Sequence, residues 1–189
     1  MSNNTNLNKA KEVKNDDFYT FIEDIEKEMK YYKEHFKNKV VYCNCDKYDV
    51  SNFVKYFKEN FEVLGIKKLI STCYNTGGCG EYYEYNGSEE IIKNLKGNGD
   101  FRSEECVEIL QKSDIVVTNP PFSLFRGFIT LLYENDKSFI SIGCQNSFTY
   151  KNVFELYKKN KIWYGINNVK KFITPYHILF FLYSSKTFL

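Results

Sequence analysis

The sequence predicts one α/β domain, a mainly parallel sheet flanked by helices. Three observations point there. Strand-like apolar runs alternate with amphipathic helical patterns along most of the 189 residues, the signature of βαβ units. Ile115-Val116-Val117 is a continuous apolar run of the kind that parallel sheets bury on both faces. The length and the 43% hydrophobic content suit one well-cored domain and argue against disorder.

Residues 1–15 are Asn- and Lys-rich without apolar periodicity, so a mobile arm is expected there and a folded domain over 16–189. Phe18, Phe21, Ile22, Ile25, Met29, Tyr32 and Phe36 recur at helical spacing and predict a helix from Asp16. Asp16 and Asp17 suit its positive N-terminal end. The apolar run 39–45 predicts the first strand. Ser51 then caps a helix with Phe53, Val54, Phe57 and Phe61 on one side, and Gly65 ends it. Residues 66–72 predict the next strand, 76–80 a glycine-rich loop, and 81–85 a short strand or half of a hairpin before an Asn86-Gly87 turn. A helix is expected over 88–96, with Ile91, Ile92 and Leu95 inward. After a turn at 97–100, Ser103 caps a helix reaching Lys112. Further strands are expected at 114–118, 138–143, 161–166 and 177–184, and helices at 123–134 and 152–159. Ligands of such sheets lie beyond the carboxyl ends of the strands.

The formal net charge of +2 neither demands nor excludes nucleic acid. No run of 18 apolar residues predicts a membrane span, and the polar start shows no signal-peptide core, so a cytoplasmic protein is expected. Cys43, Cys45, Cys73, Cys79, Cys106 and Cys144 are scattered and read as buried thiols. Cys43 and Cys45, two apart on the first strand, are expected on one face, and no metal site is predicted. The 76–80 loop lacks the Gly-Lys-Ser/Thr of a phosphate loop. His35 and His177 form no triad. Lys27, Lys30, Lys33 and Lys37 read as solvated surface and Trp163 as core.

The chemistry concentrates at Thr118-Asn119-Pro120-Pro121-Phe122-Ser123, on the carboxyl edge of a buried strand. Two consecutive prolines fix φ and remove two backbone donors. A stiff set of acceptors remains, the Asn119 amide oxygen and the Pro120 carbonyl. Such acceptors suit a planar amine with two N–H groups, such as the exocyclic amine of adenine. Held by both hydrogens, the amine becomes a better nucleophile towards a methyl on a sulfonium. Phe122 offers a face for an extruded base, since a base inside a duplex is unreachable.

Residues 114–126, with Asn119-Pro120-Pro121-Phe122 at their centre, resemble the catalytic segment of the EcoRI-type adenine-specific DNA methyltransferases. Gly99-Asp100-Phe101-Arg102-Ser103 resembles the segment just upstream in that family. Val40-Val41-Tyr42-Cys43-Asn44-Cys45-Asp46 and Ser51-Asn52-Phe53 resemble its first strand and following turn, and Asp17-Phe18-Tyr19-Thr20 its N-terminal cofactor motif. The similarity spans residues 16–165. It implies a Rossmann-like S-adenosylmethionine-dependent methyltransferase fold and site-specific methylation of adenine N6 in double-stranded DNA with the adenine flipped. It also implies a restriction-modification or mobile-element origin, with a cognate nuclease or a separate recognition subunit as possible partners. Asn119, Pro120, Pro121 and Phe122 would form the catalytic corner. Asp46 would approach the methionine part of the cofactor beside Asn44 and Ser51. Asp100 would accept from the cofactor adenine amine, Phe101 would pack on that ring, and Tyr19 and Thr20 would close the pocket.

Three departures stand out. The loop after the first strand has no glycine-rich turn. The second strand ends at Thr72-Cys73-Tyr74 without an acid for ribose hydroxyls, for which Glu81 or Glu84 are weak substitutes. Members of the family continue into a part that reads DNA sequence, whereas this sequence stops at Leu189 and the resemblance fades after Ile166. A C-terminally short catalytic core is therefore expected. The alternatives are an inactive truncated remnant, or the same chemistry on RNA or on a protein glutamine amide.

Overall fold

The computed structural model describes residues 20–169 and 179–184. The expected arm over 1–15, the start of the first helix with Phe18 and Tyr19, and His177 lie outside the described residues. The elements in order are α1 (Ile22–Met29), a 3-10 turn (Lys33–Phe36), β1 (Val40–Cys43), α2 (Asn52–Glu59), α3 (Phe61–Leu64), β2 (Lys68–Cys73), β3 (Glu81–Tyr85) and β4 (Glu90–Asn94). They continue with α4 (Glu104–Lys112), β5 (Ile115–Thr118), a 3-10 turn (Phe122–Leu124), α5 (Phe125–Glu134) and β6 (Ser138–Cys144). A 3-10 turn (Gln145–Thr149), α6 (Lys151–Lys158), β7 (Trp163–Val169) and β8 (Leu179–Ser184) complete the set.

The strands form one sheet in the order β4-β3-β2-β1-β5-β6-β8-β7. The centre, β2-β1-β5-β6, is parallel. β3 and β4 on one side and β8 and β7 on the other are antiparallel. The mainly parallel, Rossmann-like sheet expected from the sequence thus describes the centre, and antiparallel pairs extend it at both ends.

Alternation along the central strands builds two core layers, because successive side chains point to opposite faces. Val41, Cys43, Ile115 and Val117 enter one layer with Ile25, Met29, Phe53 and Phe57. Tyr42, Val116, Phe125, Phe128 and Leu132 form the other. Burial on both faces explains why these strands read as continuous apolar runs.

Four expectations are corrected. The helix expected to reach residue 36 ends at Met29. The Tyr31 and Tyr32 amides bond three residues back, to the Glu28 and Met29 carbonyls at 3.2 and 3.0 Å, tightening the chain into a 3-10 path. Residues 88–96 hold a strand, β4, rather than a helix. Asn86 Oδ1 accepts from the Ser88 and Glu89 amides at 3.0 and 2.8 Å, and Gly87 has φ +98°. This turn returns the chain antiparallel onto β3, and the ladder overrides the helical pattern. Ile91 and Ile92 are therefore about half exposed, at 47% and 53%, and only Leu95 is buried. Cys43 and Cys45 do not share a face, because β1 ends at Cys43 and the chain turns; Cys43 packs in one layer and Cys45 against the other. Trp163 is only half-buried in β7.

α1 is fastened to the far side of the sheet by a buried carboxylate. Glu28 accepts from the Ile166 amide, the Asn167 amide, the Asn167 side chain and the Tyr32 hydroxyl at 2.8–2.9 Å. These amides belong to the irregular part of β7, where the register with β8 shifts. Charge-assisted bonds of this kind satisfy a carboxylate that burial alone would penalise. No described helix is long and apolar enough to cross a membrane.

Candidate active site

Chain direction across the sheet reverses between β1 and β5: β1 leads outward to β2, and β5 leads the other way to β6. The crevice outside the carboxyl ends at such a reversal is the ligand site of open α/β sheets. Two loops leave there, the one after Cys43 and the one after Thr118.

The first loop is tied down from several sides. Asn44, Asp46 and Ser51 are all buried. The Ser51 hydroxyl donates to Asp46 Oδ1 at 2.6 Å while accepting from the Phe53 and Val54 amides at 3.1 and 3.5 Å. Ser51 therefore caps α2, as its place before Asn52 predicts. Its donor and acceptor positions are taken up by these bonds, so it reaches a ligand only through Asp46. Asp46 also accepts from the Thr118 hydroxyl at the end of β5. The Cys45 amide donates to that same hydroxyl at 3.2 Å, and the Asp46 amide to the Thr72 carbonyl at 3.1 Å. Burial, with Asp46 nearby, pushes the Cys45 thiol well up. The Asn52 side chain donates to the Thr20 carbonyl at 2.8 Å, holding Thr20 at the start of α2. Asn44 Oδ1 and Thr20 Oγ1 are buried and make no hydrogen bond. Leaving such an atom without a partner costs about 1–3 kcal/mol.

The second loop is the proline corner. Asn119 is half-buried with its amide oxygen shielded from solvent, and Pro120 is buried. The Leu124 amide donates to the Pro121 carbonyl at 3.0 Å, so the corner turns at once into the 3-10 turn. Phe122 is partly buried against the core layer of α1 and α2, so part of its ring is committed to packing. A cavity of about 360 Å3 lies between the β3–β4 hairpin and α4, and one of about 450 Å3 lies between the start of α2 and Tyr85 with Ser51 in its lining; Asn119 lines neither.

A third segment reaches the edge through two glycines. A Cβ on Gly99 would stand 2.1 Å from the Cys73 carbonyl oxygen, and one on Gly80 2.6 Å from Gly99 Cα. Gly99 also has φ +80°, a conformation that only glycine adopts freely. This close stacking sets Asp100 beside the end of β2, near enough that its charge helps raise the Cys45 thiol. Arg102 grips Asp100 as a fork. Its amide and Nε donate to Oδ1, both at 2.9 Å, and Nη2 donates to Oδ2 at 2.5 Å. The guanidinium holds the Asp100 carboxyl below its usual range. Phe101 is 5% exposed and meets Phe128 edge-on at 5.3 Å. The ring expected to pack on a cofactor is thus a core ring whose packing anchors Asp100. Of the two weak substitutes for a ribose acid, Glu81 pairs with Cys73 at the carboxyl end of β2. Glu84 lies further down the hairpin, bound to Lys68 at 2.6 Å and to the Tyr82 hydroxyl.

The structure thus brings Thr20, Asn44, Asp46 and Ser51 together beside Thr118 and Asn119, with Asp100 at the rim. Tyr19 lies outside the described residues. Sequence reasoning placed Thr118 at the start of the catalytic segment but gave its hydroxyl no role, and it missed the Gly80–Gly99 contact, whose partners are far apart in sequence. Of the cysteines expected to be buried thiols, Cys43 and Cys106 are buried, Cys45 and Cys73 are half-buried and Cys79 is exposed; all five are free. Among the described residues no cluster of His, Cys, Asp or Glu is arranged to hold a metal ion.

Comparison with known proteins identifies the family. The family model described as "Adenine-specific methyltransferase EcoRI" matches residues 6–93 and 81–186. The chain is 52% identical over 192 residues to the Type II methyltransferase M.EcoRI of Escherichia coli, covering 90% of this chain and 59% of that protein. It is 40% identical over 181 residues to M.MgeORF184P of Mycoplasma genitalium, covering 96% and 57%. It is 44% identical over 159 residues to M.MpnI of Mycoplasma pneumoniae, covering 84% and 50%. The chain therefore spans between half and three-fifths of the length of these relatives.

Proposed function

The chain belongs to the EcoRI family of adenine-specific methyltransferases, and from that membership we propose that it transfers a methyl group from S-adenosylmethionine to N6 of an adenine in DNA. One observation carries the reading: the Asn119-Pro120-Pro121-Phe122 corner and the Asn44–Asp46 loop leave adjacent parallel strands at the point where the sheet reverses. Residues 16–189 are the proposed catalytic unit.

When bound, S-adenosylmethionine supplies a methyl group on a positively charged sulfonium. The residues at the edge fit such a group. Asn44 Oδ1 and Thr20 Oγ1 are buried atoms in want of a hydrogen-bond partner, and the Asp46 carboxylate suits a cationic ligand. Asn44 and Asp46 would hold the methionine part, with Thr20 closing beside them. Oδ2 of Asp100 keeps one lone-pair direction clear of the Arg102 fork and would accept from the adenine amine of the cofactor. Ser51 and Phe101 act indirectly, Ser51 by holding Asp46 and Phe101 by anchoring Asp100.

The target amine is a weak nucleophile because its lone pair is delocalised into the ring. The Asn119 amide oxygen and the Pro120 carbonyl would accept its two hydrogens, fixing its position and favouring charge development on nitrogen. Pro121 keeps this corner stiff. The exposed part of Phe122 would meet the face of a flipped base. The Type II designation of the relatives supports a restriction-modification origin, with a nuclease or a recognition subunit as partner.

The test is transfer of labelled methyl from S-adenosylmethionine to duplex DNA, RNA and a glutamine-bearing protein in parallel. Label is expected in DNA adenine, and it should disappear in Asn119→Ala while cofactor binding persists. Label confined to RNA or protein would replace the substrate class. No calorimetric binding of S-adenosylmethionine would overturn the reading.

A further inference from the structure

Resting on that reading, we propose that Thr118 is a positioning residue that couples the cofactor loop to the catalytic corner, so that filling one rearranges the other. Thr118 is fully buried and is the residue directly before Asn119. Its hydroxyl has one hydrogen to give and two lone pairs to receive. It gives the hydrogen to Asp46 Oδ2 and receives the Cys45 amide at 3.2 Å. One side chain of β5 thus holds both a backbone and a side-chain group of the loop leaving β1. Asp46 in turn receives Ser51 at 2.6 Å, which carries the connection to the start of α2.

Register fits the role. β1 pairs with β5 through Val41–Ile115 and Tyr42–Val116, and the ladder stops there. Beyond it the two strands run out into their loops, and the Thr118 hydroxyl ties those loops together past the last rung. A ligand drawing charge from Asp46 must alter the bond to Thr118, and Asn119 is the next residue along. β-Sheet formation alone asks only for a β-branched side chain here, which valine would supply equally well. The hydroxyl is the element that packing does not require.

The experiment follows the side-chain NH2 resonances of Asn119 in the 15N-labelled full chain as S-adenosylmethionine is added. In the unaltered protein the Asn119 pair should shift in step with saturation of the Asn44 signals. Thr118→Ser keeps the hydroxyl and should keep the Asn119 shift. Thr118→Val should still shift the Asn44 signals, with the Asn119 response lost. An Asn119 response of equal size in Thr118→Val overturns the proposal, as does a silent Asn119 in the unaltered protein while Asn44 responds. If Thr118→Val does not fold, Thr118→Ser decides: a retained response supports the hydroxyl link, and a lost one overturns it. No response at Asn44 or Asn119 in the unaltered protein rejects the cofactor assignment itself, and this proposal falls with it.

Discussion

Glu28 and Asn167 meet twice at one atom: Oε2 of Glu28 accepts both the backbone amide and the side-chain amide of Asn167, at 2.8 and 2.9 Å. The carboxylate is fully buried, and its other oxygen takes Tyr32 and the Ile166 amide. Glu28→Ala would leave these buried and part-buried donors without their acceptor. A loss on the order of 3 kcal/mol is expected, read as a lower urea midpoint. Glu28→Gln keeps one acceptor and should lose less. Equal midpoints for all three proteins would show that the α1–β7 junction does not depend on this carboxylate.

Ser51→Ala removes the α2 cap and one of the donors to Asp46 together. About 2 kcal/mol should be lost, with Ser51→Thr recovering most of it in a thermal melt. Because Asp46 loses its hold on one side, cofactor affinity should fall in Ser51→Ala more than in an Ala substitution elsewhere on α2.

Gly99→Ala places a methyl group where the Cys73 carbonyl already sits and holds the backbone at φ +80°. The expected cost is on the order of 3 kcal/mol. Gly97→Ala, with nothing within 4 Å of the added carbon, should stay within about 0.5 kcal/mol of the parent. Chemical denaturation of the two variants side by side checks the contrast.

Arg102 holds the Asp100 carboxyl below its ordinary range. Arg102→Ala should move the Asp100 titration, followed by carboxyl-carbon NMR, upward towards the ordinary value near 3.9 for aspartate. Since the folded value is the depressed one, the contact stabilises above the unfolded carboxylate range. That stabilisation is lost as pH falls through the folded value. With the Arg102 side chain 57% exposed, solvent and salt screen the effect, and the stability change should be small.

Much of the architecture was legible because the central strands carry their burial in their composition. Ile115-Val116-Val117 is apolar throughout since both of its faces are covered, and Ser51 announces α2 by its position. The proline corner was legible because Asn119-Pro120-Pro121-Phe122 has few uses at the end of a buried strand. β4 was not, because Ile91, Ile92 and Leu95 fit a helix as well as an edge strand, and only pairing with β3 decides. The break after Met29 was hidden too, since Tyr32 and Phe36 are buried on either path. At the site, Phe101 reads alike as a ligand platform and as a core ring, and its contact with Phe128 crosses 27 residues of sequence. Thr118 stood in the catalytic segment, but its role was not legible, because a hydroxyl that bridges two loops looks like any strand threonine until both loops are folded.

The outermost strand at one end of the sheet, β4, is exposed along all five of its residues. A rim of this kind invites a second copy to add its own strand. Fibrils grow by stacking identical strands in parallel register, which here would set Glu90 on Glu90 and Lys93 on Lys93. Each repeat would then carry two like-charge clashes against the attraction of Ile91 and Ile92. The same short segment that exposes isoleucine to water thus carries its own brake on polymerisation, and neutralising Glu90 and Lys93 together would release it.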